Sequence, residues 1–428
     1  ALYFDPSTAT TTYTGSYAPL HGVQMSHALA STIHLSLDVK AGLLIRQTHH
    51  WAALVFVAAI TLHLLRVFFT GAFRKPRDLT WYVGLVLLMV SVLEGFLGYS
   101  LPGDLVSGMG LGIAYSVALA VPFAGAKLAL LVWGDAFPGS AVFESRLYIA
   151  HVLLIPGLIA ALIGLHLGLV ALLRHTQFPG PGRTEKNVVG TPLWPAYALR
   201  SLALFAATAA VLFALGGLVQ INPVWQWGPF EPWLATNGAQ PDWYLGWLIG
   251  ALRIMPPVEL SLWGHTIIPN PFFGGILFPS VVFGTLFLWP TLERWVTGDY
   301  SDHQLLDRPR DHPVRTALGA AFFTWVATLF FAGAADRIFV TFGISYTRQV
   351  LFFRVAAVVF PVLAFLIVRS LCRELARSGA HPLRGFTGQV VARREDGSFS
   401  ALDADPAATD SAETADPGVT STTTRPGS

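Results

Sequence analysis

Apolar positions run almost unbroken through seven stretches of the chain, each near the length at which a helix crosses a bilayer. A hydrocarbon core about 30 Å thick calls for roughly 20 mostly apolar residues per helix. Gln47–Phe69, Trp81–Leu101, Leu147–Leu173, Ser201–Val219, Phe272–Trp289, Thr316–Phe331 and Val350–Ile367 are the stretches of that kind. Leu105–Trp133 is softer, broken by glycines and by Pro122, and predicts short surface helices, with a weak eighth span as the alternative. Trp243–Ile254 is a further amphipathic stretch in the long connection before the fifth span. Beyond Arg373 the apolar content falls. Gln389–Leu402 predicts a hairpin turning at Asp396-Gly397, and 403–428 is polar and expected to be disordered. The pattern predicts an all-α polytopic membrane protein, a bundle of seven transmembrane helices with short surface helices between them.

Orientation follows from the basic residues. Arg74, Lys75 and Arg77 follow the first span, Arg174, Arg183 and Lys186 the third, Arg294, Arg308, Arg310 and Arg315 the fifth, and Arg373 and Arg377 the seventh. Every second loop is basic and is expected to face the cytoplasm. Residues 1–45, 102–145, 220–271 and 332–348 then face outward. With seven spans this puts Ala1 outside, and a helix upstream of it is expected.

Composition narrows the class. The 428 residues are 53% apolar and only 12% charged, against about 25% charged in soluble domains, which argues against a water-soluble enzyme. A net charge of +2 offers nucleic acid no electrostatic footing. One cysteine, Cys372, excludes disulfides within the chain and thiolate clusters.

Polar groups inside a span are costly and usually functional. Five histidines stand out: His49, His50 and His63 in the first span, and His151 and His166 in the third. His49 and His63 lie about 40° apart on the helix wheel, and His151 and His166 about 60°. Roughly 21–23 Å along the axis separates the members of each pair. Each helix thus presents one histidine near either membrane edge. One such histidine needs no special account; two matched pairs do. Zinc would require further ligands, which these spans do not supply. Imidazoles meeting across a helix interface suit haem iron with both axial positions filled, a group confined to carrying electrons. His50 points to the opposite side of its helix and is expected to pack or hydrogen-bond.

Arg46 precedes His49 by three residues and Arg66 follows His63 by three, so each shares its histidine's face. Guanidinium groups there would pair with haem propionates; Arg146, five before His151, is another candidate. Snorkelling at helix ends is the plainer account of any one of them. Gly84 and Gly98 in the second span repeat the fourteen-residue spacing of His49 and His63, as if each made room for a macrocycle. Cys372 lacks a Cys-x-x-Cys-His context, so covalent haem attachment is not expected.

These residues together resemble the cytochrome b subunit of the quinol:cytochrome c oxidoreductase (cytochrome bc) complex. The resemblance runs from Arg46 to Leu371. It is carried by Arg46-Gln-Thr-His49, Leu62-His63-Leu-Leu-Arg66, Thr80-Trp81 with Gly84, Gly98-Tyr99 and Leu101-Pro102, and Arg146-Leu-Tyr-Ile-Ala-His151. Its most specific part is Pro241-Asp242-Trp243-Tyr244, followed by Arg253 and Pro256, which looks like the Pro-Glu-Trp-Tyr motif with the glutamate one methylene shorter. The spacing in the third span and His175-Thr-Gln-Phe-Pro-Gly-Pro-Gly-Arg183 look actinobacterial.

The resemblance implies two non-covalent b-type haems, the outer on His49 and His151 and the inner on His63 and His166. It implies an outer quinol-oxidising site at Pro241, Asp242, Trp243 and Tyr244 with the segment 98–104. Asp242 would be the proton acceptor there, with Glu94 and Asp104 on the proton path. An inner quinone-reducing site would involve Arg200 and Ser201, which stand where relatives usually carry a Lys-Asp pair, and His175. It further implies menaquinol as substrate, a Rieske-type iron–sulfur subunit and a cytochrome c subunit as partners, a dimeric complex, an attached terminal oxidase, and proton translocation across a bacterial cell membrane. The organisation is then an outward segment (1–45), a haem-binding half (46–175), a cytoplasmic connection (176–194), a second membrane half (195–372), an extension (373–402) and the tail. Two other readings compete. A haem b membrane anchor of a dehydrogenase or hydrogenase leaves Pro241–Tyr244 unexplained, and a proton-coupled transporter with histidine relays predicts no visible absorption.

Overall fold

The structure, a computed structural model, describes residues 3–234, 240–377, 389–393 and 399–403. Its contacts divide the chain into two units, 1–372 and 373–428. Seven helices among the described residues are long and apolar enough to cross a membrane: Gly42–Phe69, Asp78–Ser100, Phe143–Leu173, Leu193–Leu218, Phe273–Thr297, Pro313–Gly333 and Tyr346–Arg377. They are the first to seventh spans below. Each covers its predicted stretch to within one residue, Leu101, Val219 and Phe272 falling just outside, and each runs beyond that stretch at one end or both. Leu105–Leu119 and Gly125–Trp133 are separate short helices.

Prolines shape three of the spans. Pro156 lacks the N–H that would bind the carbonyl four residues back, and the turn before it, Ala150–Leu154, widens to a π-helix that contains His151. Pro279 stands at the same offset after a second π turn, Phe273–Leu277, and a third, Leu193–Tyr197, opens the fourth span around Pro195.

Small residues set the close contacts. Gly216 of the fourth span lies against Thr48 of the first, and a Cβ there would overlap the threonine. Gly250, in the short helix Gly246–Ile254, lies against the Leu329 carbonyl of the sixth span, and Gly333 against that of Gly246. Trp81 donates to the Leu286 carbonyl across 2.9 Å, joining the second span to the fifth. Around that bond Phe68, Phe73, Trp81, Leu85 and Leu286 form a buried cluster. Outward faces stay bare: Leu204, Phe205 and Leu351 are 70%, 72% and 66% exposed, as side chains bathed in lipid would be.

The segment before the first span pairs Thr10–Thr12 with Gln24–Ser26 and then forms the helix His27–Leu37, packed on Val224 and Trp225. Leu260–Leu262 and His265–Ile268 make a hairpin in the connection before the fifth span. In the second unit Gln389–Arg393 pairs antiparallel with Phe399–Asp403, so Asp403, expected to open the disordered tail, ends a strand instead; the turn at Asp396-Gly397 and the tail beyond Asp403 lie outside the described residues.

Candidate functional site

The first and third spans bring the four histidines together in two facing pairs. His49 and His151 have ring centroids 6.1 Å apart and planes at 85°. His63 and His166 have centroids 6.4 Å apart and planes at 77°. A bond from a metal to an imidazole nitrogen is about 2.0 Å, so two imidazoles that were to share one iron would need their ring centres roughly 6 Å apart. Both pairs fit that requirement. Among the described residues no group of three or more His, Cys, Asp or Glu is arranged to hold a metal ion, which leaves imidazole pairs as the donor sets.

Each pair has its glycine. Gly98 lies so close to His151 that a Cβ there would overlap the ring, whereas a Cβ at Gly84 would stand 3.4 Å from His166 Cε1, an ordinary contact. The buried Nδ1 atoms of His151 and His166 have no hydrogen-bond partner. Glu94 Oε1 does approach His151 Nδ1 to 2.8 Å, but out of line for a hydrogen bond. At the His49 end Arg46 donates to the Asn222 carbonyl (2.6 Å) and lies over the Trp225 ring, while its Nε is buried without a partner. Such an orphaned donor beside a histidine pair suits an acidic group not supplied by the chain. Arg146 is exposed near the Gly134 turn.

The His63 end opens on a cavity of about 430 Å³ lined by His63, Arg66, Arg77, Gly84, His166, Arg174 and His175. His175 therefore stands beside the inner pair. Arg200 and Ser201 are exposed and do not line this cavity.

Asp242 precedes the single turn Trp243–Leu245 and places Tyr244, 2% exposed, against Gly95 of the second span. Tyr244 Oη donates to Asp242 Oδ2 across 3.1 Å, and His50 Nε2 lies 2.8 Å from Oδ1. Burial, reinforced by the Asp242 charge, raises the Tyr244 phenol far above its ordinary value, so it remains a donor at any working pH. Trp243 and Tyr244 also border an apolar cavity of about 430 Å³ that extends to Phe68 and Trp289.

Asp104, 1% exposed, caps the helix Leu105–Leu119 by accepting from the Val106 N–H (3.2 Å). Its other oxygen is buried without a partner. Burial pushes its pKa up to about 6, against the pull of its local hydrogen bonds. No hydrogen bond joins Asp104 or Glu94 to Asp242.

The family profile described as cytochrome b (N-terminal)/b6/petB matches residues 54–229. The cytochrome b subunits of the cytochrome bc1 complexes of Mycobacterium leprae and Mycobacterium tuberculosis are 46% identical to the chain over 403 residues, 94% of this chain and 73% of theirs. The Streptomyces coelicolor subunit of the same name is 44% identical over 399 residues, 93% of this chain and 73% of its own. The chain belongs to the cytochrome b subunits of bc1 complexes. A solved structure of a hyperthermophilic respiratory complex III shares the fold, with a TM-score of 0.63 at 22% identity over 87% of this chain and 86% of that one. The family is that of a subunit of a quinol–cytochrome c oxidoreductase, so this cytochrome b is a multi-pass membrane protein and one part of an electron-transfer enzyme. The transporter and membrane-anchor readings fall with that.

Two features of this cytochrome b escaped the sequence. The sequence marks His50 as a packing or hydrogen-bonding residue that faces away from His63, and carries no signal for its partner Asp242. Arg77, 7% exposed, donates to the carbonyls of Leu173, Arg174 and His303 and to the Gln304 side chain. It closes the end of the third span, where carbonyls lack helical partners, and ties that end to the loop after the fifth span. Nearby, Asp307 pairs with Arg74 (2.8 Å), Arg315 and His312, and Arg315 with Glu293 (2.8 Å). These ionic contacts join the two membrane halves at the His63 end.

Proposed function

We propose that this cytochrome b holds two non-covalent b-type haems, one between His49 and His151 and one between His63 and His166. The facing imidazoles at 6.1 and 6.4 Å carry the reading. The haems supply one-electron carriage between the two ends of the bundle. Gly98 leaves the His151 imidazole its space, Gly84 borders His166 at ordinary contact, and Arg46, Arg66 and Arg146 are assigned to the propionates. Glu94 limits how the His151 imidazole turns.

At the His49 end the site formed by Pro241, Asp242, Trp243 and Tyr244 oxidises quinol. Asp242 accepts a quinol hydroxyl proton, Tyr244 stays protonated as a donor, and Asp104, with its pKa near neutrality, passes protons outward. At the His63 end His175 is assigned to quinone reduction; Arg200 and Ser201 complete that assignment by resemblance alone. The basic loops argue that the His63 end faces the cytoplasm, so oxidation on one side and reduction on the other translocate protons. On the sequence resemblance alone, the chain is assigned menaquinol as substrate, a Rieske-type iron–sulfur subunit and a cytochrome c subunit as partners, and a dimeric complex joined to a terminal oxidase.

Haem content per chain with a reduced-minus-oxidised spectrum tests the central claim. Two b-type haems per chain support it. One or none overturns it.

A further inference from the structure

Asp242 has an unusual set of partners for its position. An aspartate just before a helical turn ordinarily accepts from the backbone N–H groups of that turn. Here the side chain makes no such bond. It turns away instead, giving Oδ1 to His50 and Oδ2 to Tyr244. His50 and Asp242 are 13% and 11% exposed in their side chains, so little water competes with the contact. An ionised carboxylate only accepts hydrogen bonds, which fixes the proton on His50 Nε2. The histidine reaches from the first span, and the aspartate lies in a connection 192 residues away.

We propose that His50 is the positioning residue of the quinol-oxidising site: its Nε2–H holds the Asp242 carboxylate off its own turn in the orientation that receives the quinol proton. The proposal rests on Asp242 being that acceptor. It explains how an aspartate serves where a longer glutamate would reach further, since the histidine supplies from the facing helix the restraint that fixes a short side chain. It also ties the acceptor to the helix that carries His49, so that the orientation of the proton-accepting group and the position of His49 depend on the same helix.

The test measures quinol oxidation by the assembled complex at varied quinol concentration for His50→Leu, His50→Gln, Asp242→Asn and His50→Leu/Asp242→Asn, with haem content recorded for each. His50→Leu is expected to lower turnover at saturating quinol about 10-fold, the loss of one hydrogen bond to a charged group. Both haems should remain. The amide of His50→Gln also donates and is expected to recover turnover to within about 3-fold of wild type. The double variant should turn over no more slowly than Asp242→Asn, because a residue acting through Asp242 has nothing further to lose. Unchanged turnover in His50→Leu overturns the proposal, as do losses that multiply in the double variant. If His50→Leu fails to retain haem, His50→Gln decides: turnover as low as Asp242→Asn with both haems bound overturns it. Full activity in Asp242→Asn would instead sink the acceptor reading on which the proposal stands, whatever His50 does.

Discussion

Gly98 and His151 share a space that holds no more than one of them plus a hydrogen. A Cβ on Gly98 would overlap the imidazole at Cε1, whereas at Gly84 the same addition would stand 3.4 Å from His166. The two glycines look equivalent along the second span, and the packing makes them unequal.

Gly98→Ala is accordingly expected to displace His151 and to lower occupancy, or shift the midpoint potential, of the haem at the His49 end. Gly84→Ala should keep both haems at their normal potentials. Redox titration of the two b-type components in membranes distinguishes them. Both haems present and unshifted in Gly98→Ala would show that the imidazole does not need its present position.

Replacing His63 or His166 should remove the haem at their end while leaving some at the other, since the pairs are separated by roughly 21–23 Å along the helices. Quantitative spectroscopy of His63→Ala checks this. Two intact haems would end the ligand assignment.

The ionic contacts at the His63 end set an acid limit. Burial opposes ionisation of Asp307, but hydrogen bonds from His312 and Arg315 and the charges of Arg315 and Arg74 outweigh it and hold the pKa below the ordinary carboxylate range. A depressed folded pKa contributes stability above the unfolded value, about 3.9, and that contribution disappears as pH falls through the folded value. Thermal unfolding in detergent should therefore show wild type weakening below about pH 4, with a flatter acid limb in Asp307→Asn. Breaking one partner of a buried pair costs about 3–5 kcal/mol, and Arg315 keeps Glu293, so the cost near neutral pH should sit at the low end. Identical acid limbs would remove Asp307 from this role.

What could be read beforehand divides along physical lines. Lipid forces backbone groups to pair within a segment, so hydropathy alone found every span. The ends escaped because helices outlast the apolar run: Val350–Ile367 lies inside a helix from Tyr346 to Arg377. Helical period placed His49 and His63 on one face, since that relation is local. His50 and Asp242 could not be paired in that way, being 192 residues apart with no shared period. The widening at His151 was half legible, since Pro156 promised a bend, but a π turn is one of several ways to accommodate a proline. The Arg200 and Ser201 assignment came from register with relatives, and register says nothing of whether a side chain meets the cavity.

Asp242 gives the most direct functional test. Asp242→Asn keeps the shape and loses both the acceptor charge and the base. A positioned general base is typically worth about 10²–10⁴-fold in rate. The loss here should fall near or below the lower end, because Asp104, with a pKa of about 6, is able to take protons through water. Asp242→Glu keeps the base but adds a methylene where His50 and Tyr244 already close on both oxygens; it should fall between wild type and Asp242→Asn. Haem spectra should be unchanged in both, since no hydrogen bond joins Asp242 to a histidine of either pair. Steady-state quinol oxidation across the working pH range reads the outcome. Full activity in Asp242→Asn would make this carboxylate structural and move the first proton acceptor to Asp104, where Asp104→Asn would then have to produce the loss.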